Sequence, residues 1–232
     1  VSEGLARLSD EDVSPRWLLH ELGLPSHDKT FHGVWHSASG RLIRKKVGSS
    51  WRFVEARVCE RACNNGWMSR LEQAAMPFLP ALARGEARLS GLLSKERRVL
   101  AKWAAKTAYL HSTAGLLGEP VQSSHINALN GDLGFLASRV AVFASQGEHT
   151  RPSSYVQTGL WPQQTLIDVG STPPAEAYKI GLQYRHLALL VAYWPEPRVQ
   201  LMPAPYHFPV WSDGWSLRPW TGLAYTREAE PL

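Results

Sequence analysis

Cys59-Glu60-Arg61-Ala62-Cys63-Asn64-Asn65-Gly66-Trp67-Met68-Ser69-Arg70-Leu71-Glu72 holds both cysteines of the chain, with three residues between them. That spacing suits two thiolates on one metal ion, commonly zinc. The pair leads straight into Asn64-Asn65-Gly66, a turn signal, and then into a segment with helical character from Met68 to Ala75. A close cysteine pair in a basic chain with no visible signal peptide points to a reducing compartment, so the expected location is cytoplasmic. A single disulfide in an extracytoplasmic β protein is the competing use of the same two residues.

The 232 residues are 44% hydrophobic and 19% charged, the balance of a folded chain with one large or two small domains. The longest apolar run, Leu187 to Trp194, is strand length and far short of the ~20 residues that span a bilayer, so no membrane partner is expected. A net charge of +5 permits nucleic-acid binding without requiring it. The charge is concentrated: Arg41, Arg44, Lys45, Lys46, Arg52 and Arg57 face only one acid, Glu55, with Trp51 and Phe53 among them. A solvated hairpin face and a phosphate-facing surface both fit that pattern.

Turn signals and periodicity divide the chain into residues 1–116, a connection over 117–134, and a β-rich part over 135–232. In the first part, Pro15 to Leu24 reads as a short helix with Pro at its start and Gly23 as its stop. His32 to Trp35 and Leu42 to Val47 read as strands, as does Ser50 to Val58. Pro77 and Pro80 break or kink the chain beyond Ala75. Ser94 to about Ser112 is the clearest helix, with Ser94 as its N-cap and an apolar stripe through Leu100, Trp103, Ala104, Thr107, Ala108 and Leu110. Its basic residues Lys95, Arg97, Arg98, Lys102 and Lys106 are expected in solvent. A further short helix falls within His125 to Leu136. Strands are expected at Val140 to Ala144, Thr165 to Val169, Ala177 to Gln183, His186 to Tyr193 and Val199 to Leu201, with Tyr184-Arg185 as a tight turn. Trp161, Trp194, Trp211, Trp215 and Trp220 are expected to fill the core of that part.

Near the start, Asp10, Glu11 and Asp12 precede the first helix. Carboxylate and amide oxygens are hard ligands suited to Mg2+ or Mn2+, so these acids and the distant Cys-x3-Cys-Asn-Asn pattern can be read as one site assembled from separate pieces. Acids before a helix also serve its N-terminal amides and dipole without any metal.

These residues resemble the HNH-endonuclease-like proteins of bacteria and phages. The resemblance rests on Glu11, Asp12, Val13, Pro15, Trp17 and Leu18, then on Cys59, Cys63, Asn64, Gly66, Trp67, Met68, Leu71 and Glu72. It continues through Leu93-Ser94-Lys95-Glu96 and Leu100-Ala101-Lys102-Trp103-Ala104-Ala105-Lys106-Thr107-Ala108, and covers roughly residues 8 to 112. It implies an α+β fold: a ββα-metal (HNH-like) N-terminal core with packed helices, followed by an antiparallel β-rich C-terminal domain. It implies a metal-dependent endonuclease acting on DNA, with Glu11 a ligand of a catalytic Mg2+ or Mn2+ and Asn64 ordering or coordinating it. Cys59 and Cys63 would be half of a structural Zn2+ site, and Arg41, Arg44, Lys45, Lys46 and Arg52 would meet phosphates.

The sequence departs from the family pattern in three ways. Asp12 stands where the family has a histidine that activates water, and a carboxylate is a far weaker base at neutral pH. The cysteine spacing is one residue longer. The partner cysteines expected before Glu11 are absent, which leaves upstream residues of a chain opening on Val1, or His27, His32 or His36, to complete the zinc site. The Asp12 departure supports an alternative: a catalytically degenerate HNH-fold module within a larger assembly, with a protein partner or a second copy. No phosphate-binding glycine loop, Gly-x-Ser-x-Gly or His-Glu-x-x-His competes.

Overall fold

In a computed structural model, residues 8–9, 12–24, 30–35, 42–48, 59–60, 63–114, 121–130, 136, 139–147, 153–158, 177–195 and 208–211 are described, some by their backbone alone. The fold is α+β. β1 (Leu8–Ser9) pairs antiparallel with β4 (Cys59–Glu60). β2 (Thr30–Trp35) and β3 (Leu42–Gly48) form an antiparallel hairpin. The larger sheet has five strands in the order β6-β7-β8-β5-β9, every neighbour antiparallel. These are β5 (Val140–Gln146), β6 (Ser153–Thr158), β7 (Tyr178–Tyr184), β8 (Leu187–Tyr193) and β9 (Phe208–Trp211).

The helices are α1 (Arg16–Glu21), α2 (Ser69–Ala75), α3 (Leu79–Arg84), α4 (Ser94–Ala114) and α5 (Ser123–Leu129). α1 and α3 are short and end alike. After α1, Gly23 takes φ +59° while its N–H bonds to the His20 carbonyl and that of Leu24 reaches the Leu19 carbonyl. After α3, Gly85 takes φ +76°, with Gly85 N–H on Leu82 and Glu86 N–H on Ala81. Both are Schellman ends, for which glycine is favoured because a Cβ strains the left-handed conformation. At the start of α4, Leu93 takes the cap position expected for Ser94, and the Glu96 carboxylate accepts its N–H at 2.7 Å. That is the reciprocal half of a capping box.

β8 is buried at every position, as a central strand with both faces covered must be. On one face, Tyr178, Ile180, Leu182 and Tyr184 of β7 stand opposite Tyr193, Val191, Leu189 and Leu187 of β8. This face joins Leu18, Leu82, Leu100, Trp103 and Ala108 in a single apolar cluster, so core residues on both sides of the 117–134 segment pack together. α4 is the centre of that cluster. Ala101, Ala104, Ala105 and Ala108 are fully buried and let neighbours approach, and Trp103 meets the Tyr184 ring edge-on at 5.6 Å.

Two expectations need correcting. Of the basic residues of α4, Lys95 and Arg98 are exposed as expected and Arg97 and Lys102 are half-buried, but Lys106 is 1% exposed and lies in the core. The β7–β8 turn lies one residue later than expected, at Arg185-His186, with Arg185 at φ +50°. The expected strands at Ser50 to Val58, Thr165 to Val169 and Val199 to Leu201 lie outside the described residues, as do Trp161, Trp215 and Trp220. Trp194 is fully buried, as expected of a core tryptophan. Among the described residues, no helix is long and apolar enough to cross a membrane.

Candidate functional site

The β1–β4 ladder sets Ser9 opposite Cys59 and Leu8 opposite Glu60. Two segments fifty residues apart in sequence, the acidic one and the cysteine one, thereby become neighbours. Cys63 lies just beyond β4, half-buried and a free thiol, so the two cysteines are not joined in a disulfide. Asn64 opens a π-helical segment, Asn64–Met68, that runs into α2. Its regular winding is interrupted at Gly66, whose backbone (φ −99°, ψ −108°) is not helical. The kink divides the Cys63–Asn65 backbone from the regular helix that follows.

Asp12 lies three residues beyond Ser9, half-buried, and its carboxylate pairs with Arg16 at 2.5 Å across one turn. Glu11, Arg41 and Arg52 lie outside the described residues, and Cys59, Asn64, Arg44, Lys45 and Lys46 are described by backbone alone. In the β2–β3 register Arg44 stands opposite Val34, Lys45 opposite Gly33 and Lys46 opposite His32. Among the described residues, no three His, Cys, Asp or Glu side chains gather as a metal group. The soft sulfur of Cys63, with Cys59 at the end of the adjoining strand, fits part of a tetrahedral zinc donor set.

Sequence reasoning missed the polar centre beneath these segments. Glu72 of α2 accepts a hydrogen bond from Trp17 Nε1 at 3.0 Å and forms an ion pair with Lys106 Nζ of α4. Those three residues come from the three stretches singled out in sequence: the Pro-x-Trp-Leu segment, the Trp-Met-x-x-Leu-Glu segment and the long helix. The signal was present, since Lys106 is three residues from Trp103 and four from Leu110 on the same helical face. Alongside, Ser14 Oγ meets the Tyr184 hydroxyl at 3.0 Å and His111 Nε2 at 3.4 Å. Burial pushes the Tyr184 hydroxyl up to about 12; the Ser14 bond opposes this, and the nearby Glu72 charge adds to it. The acidic segment is thus held from below by α2, α4 and β7.

A second buried polar group joins α4, α5 and the sheet. The Tyr178 hydroxyl donates to that of Tyr109 at 3.0 Å and meets His125 Nδ1 at 2.9 Å. With the Tyr178 proton committed to Tyr109, the imidazole carries its hydrogen on Nδ1. The His125 ring also stands edge-on to Tyr193 at 4.4 Å. Burial lowers its pKa to about 4, so it is neutral at physiological pH.

Comparison with protein-family models, with curated proteins and with solved structures found no match.

Proposed function

We propose that this protein is an HNH-like, metal-dependent endonuclease acting on DNA, built on a ββα-metal core. The observation that carries this reading is the β1–β4 pairing, which puts the segment bearing Glu11 and Asp12 beside the one bearing Cys59, Cys63 and Asn64. Glu11 and Asn64 would hold Mg2+ or Mn2+, which supplies charge stabilisation at a scissile phosphate. Cys59 and Cys63 would contribute half of a structural Zn2+ site and fix the backbone around Asn64. Arg41, Arg44, Lys45, Lys46 and Arg52 hold the phosphate backbone and set position rather than sequence preference. Asp12 takes the place of the general base.

A specific observation favours a second reading, in which the same fold binds without cleaving. The Asp12 carboxylate is already engaged by Arg16 at 2.5 Å, so it would have to leave that partner to meet a water at the site. The protein would then serve as a DNA-binding or structural module with a protein partner or a second copy.

A supercoiled-plasmid nicking assay with Mg2+, Mn2+ or EDTA separates the two. The expected result is metal-dependent nicking, lost when Glu11→Ala and Asn64→Ala are combined. Nicking that survives in that variant rejects the proposed site. No nicking by the unaltered protein, with nicking gained on Asp12→His, establishes the second reading.

A further inference from the structure

The acidic segment is tied down at both ends, and one of the ties comes from the C-terminal sheet. Before it, Ser9 stands opposite Cys59 in the β1–β4 ladder. After it, Val13 is fully buried, and the Ser14 hydroxyl meets that of Tyr184 at 3.0 Å. Tyr184 ends β7, 170 residues further along the chain. His111 Nε2 of α4 reaches the same Ser14 hydroxyl at 3.4 Å. Only residues 10–13 lie between Ser9 and Ser14. A span that short, with a reach of at most about 3.6 Å per residue, goes where its ends are held.

At the second end α1 supplies no donor of its own. Pro15 has no N–H, and no side chain caps the helix. Tyr184, in contrast, is set in the core: it is buried, and its ring packs edge-on against Trp103 at 5.6 Å. The hydroxyl that holds Ser14 is therefore fixed by the packing of α4 on the sheet.

The geometry points to Tyr184 as a positioning residue of the metal site, holding the segment of Glu11 and Asp12 in register with Asn64. This rests on the nuclease reading of that site. Tyr184 touches neither the ion nor DNA in this role. It acts through Ser14, as the partners behind metal ligands do. The C-terminal sheet thereby takes part in the chemistry of a site whose ligands all lie in the first 64 residues.

The test is a Mn2+ titration of the full chain, reading free Mn2+ by electron paramagnetic resonance, with amide hydrogen exchange of residues 10–14 in the metal-free protein. Tyr184→Phe keeps the ring and removes the hydroxyl. It is expected to weaken Mn2+ binding roughly tenfold and to speed that exchange. Ser14→Ala breaks the same tie from the other side and is expected to do the same. Tyr109→Phe removes a buried hydroxyl bonded to Tyr178 rather than to Ser14, and is expected to change neither reading. An equal change in Tyr109→Phe overturns the proposal by reducing the effect to general stability. Mn2+ binding that depends on Glu11 and Asn64 but not on Tyr184 overturns the proposal alone. No Mn2+ binding by the unaltered protein, or binding that survives Glu11→Ala with Asn64→Ala, rejects the nuclease reading and the proposal with it.

Discussion

Lys106 shows how a single side chain can be misread when its helix is taken as a surface helix. A lysine at 1% exposure needs its charge met inside the protein; Glu72 pairs with it, and Glu72 in turn is held by Trp17 Nε1. Removing the lysine charge leaves the Glu72 carboxylate without its counter-ion. Lys106→Met alone is expected to destabilise by about 3–5 kcal/mol, whereas Lys106→Met with Glu72→Leu costs much less, as urea unfolding of the set will read. His125 gives a pH signature of known sign. Its folded pKa near 4 lies below the unfolded value of about 6.5, so the unfolded chain binds the extra proton first. The stability this contributes is complete above about pH 6.5 and is lost as pH falls toward 4, by about 3 kcal/mol in all. Unfolding curves at pH 7 and pH 4.5 should therefore differ less in His125→Gln than in the unaltered protein. An equal pH slope in the two would dismiss His125 as the cause.

Among the elements, the β7–β8 turn joins the helices to the sheet. Arg185 Nε and Nη2 donate to the Leu22 carbonyl at 2.9 and 2.5 Å, and the His186 N–H donates to the Ala83 carbonyl at 2.9 Å. Each carbonyl lies at the C-terminal end of a helix, where no intrahelical donor remains, so one hairpin tip satisfies the ends of both α1 and α3. Gln146 adds a similar tie, donating to the Leu82 and Ala87 carbonyls at 3.0 and 2.7 Å. These bonds offset the strain of a non-glycine residue at φ +50°. Arg185→Ala keeps the strain and loses the bonds, for an expected loss of about 1.5–3 kcal/mol. Arg185→Gly loses the same bonds but relaxes the backbone, and its melting temperature should lie above that of Arg185→Ala. The sequence pattern located this hairpin because β7 and β8 are dense in strand formers. It misplaced the turn by one residue because Arg185 adopts a conformation its own preferences oppose, stabilised by partners 163 residues away.

For the whole molecule, local pattern disclosed the elements better than their arrangement. α1, the β2–β3 hairpin, α4, β5, β7 and β8 all lie close to where periodicity and turn signals put them, because each carries its own caps or alternation. The apposition of α4 and the sheet was not legible, since it depends on complementary shape between Trp103 and Tyr184, or Tyr109 and Tyr178, and not on any spacing within one segment. Of the candidate site, the sequence singled out the two segments that β1 and β4 adjoin. The ladder joining them and the ion pair beneath them could not be read in advance. Since the helices and sheet share one core, a fragment ending at residue 134 is expected to keep helical circular dichroism yet unfold without cooperativity and bind a hydrophobic dye, whereas a sharp unfolding transition would show that it folds alone. The same shared core has a consequence during synthesis. α4 is complete at Ala114, but β7 and β8, which pack against it, are not complete until Tyr193. At ~5–20 residues per second, the ribosome needs roughly 4–16 s to make the intervening chain. For that interval Trp103 and Tyr109 face water or a chaperone, so the nascent chain, rather than the finished protein, is the form most exposed to aggregation.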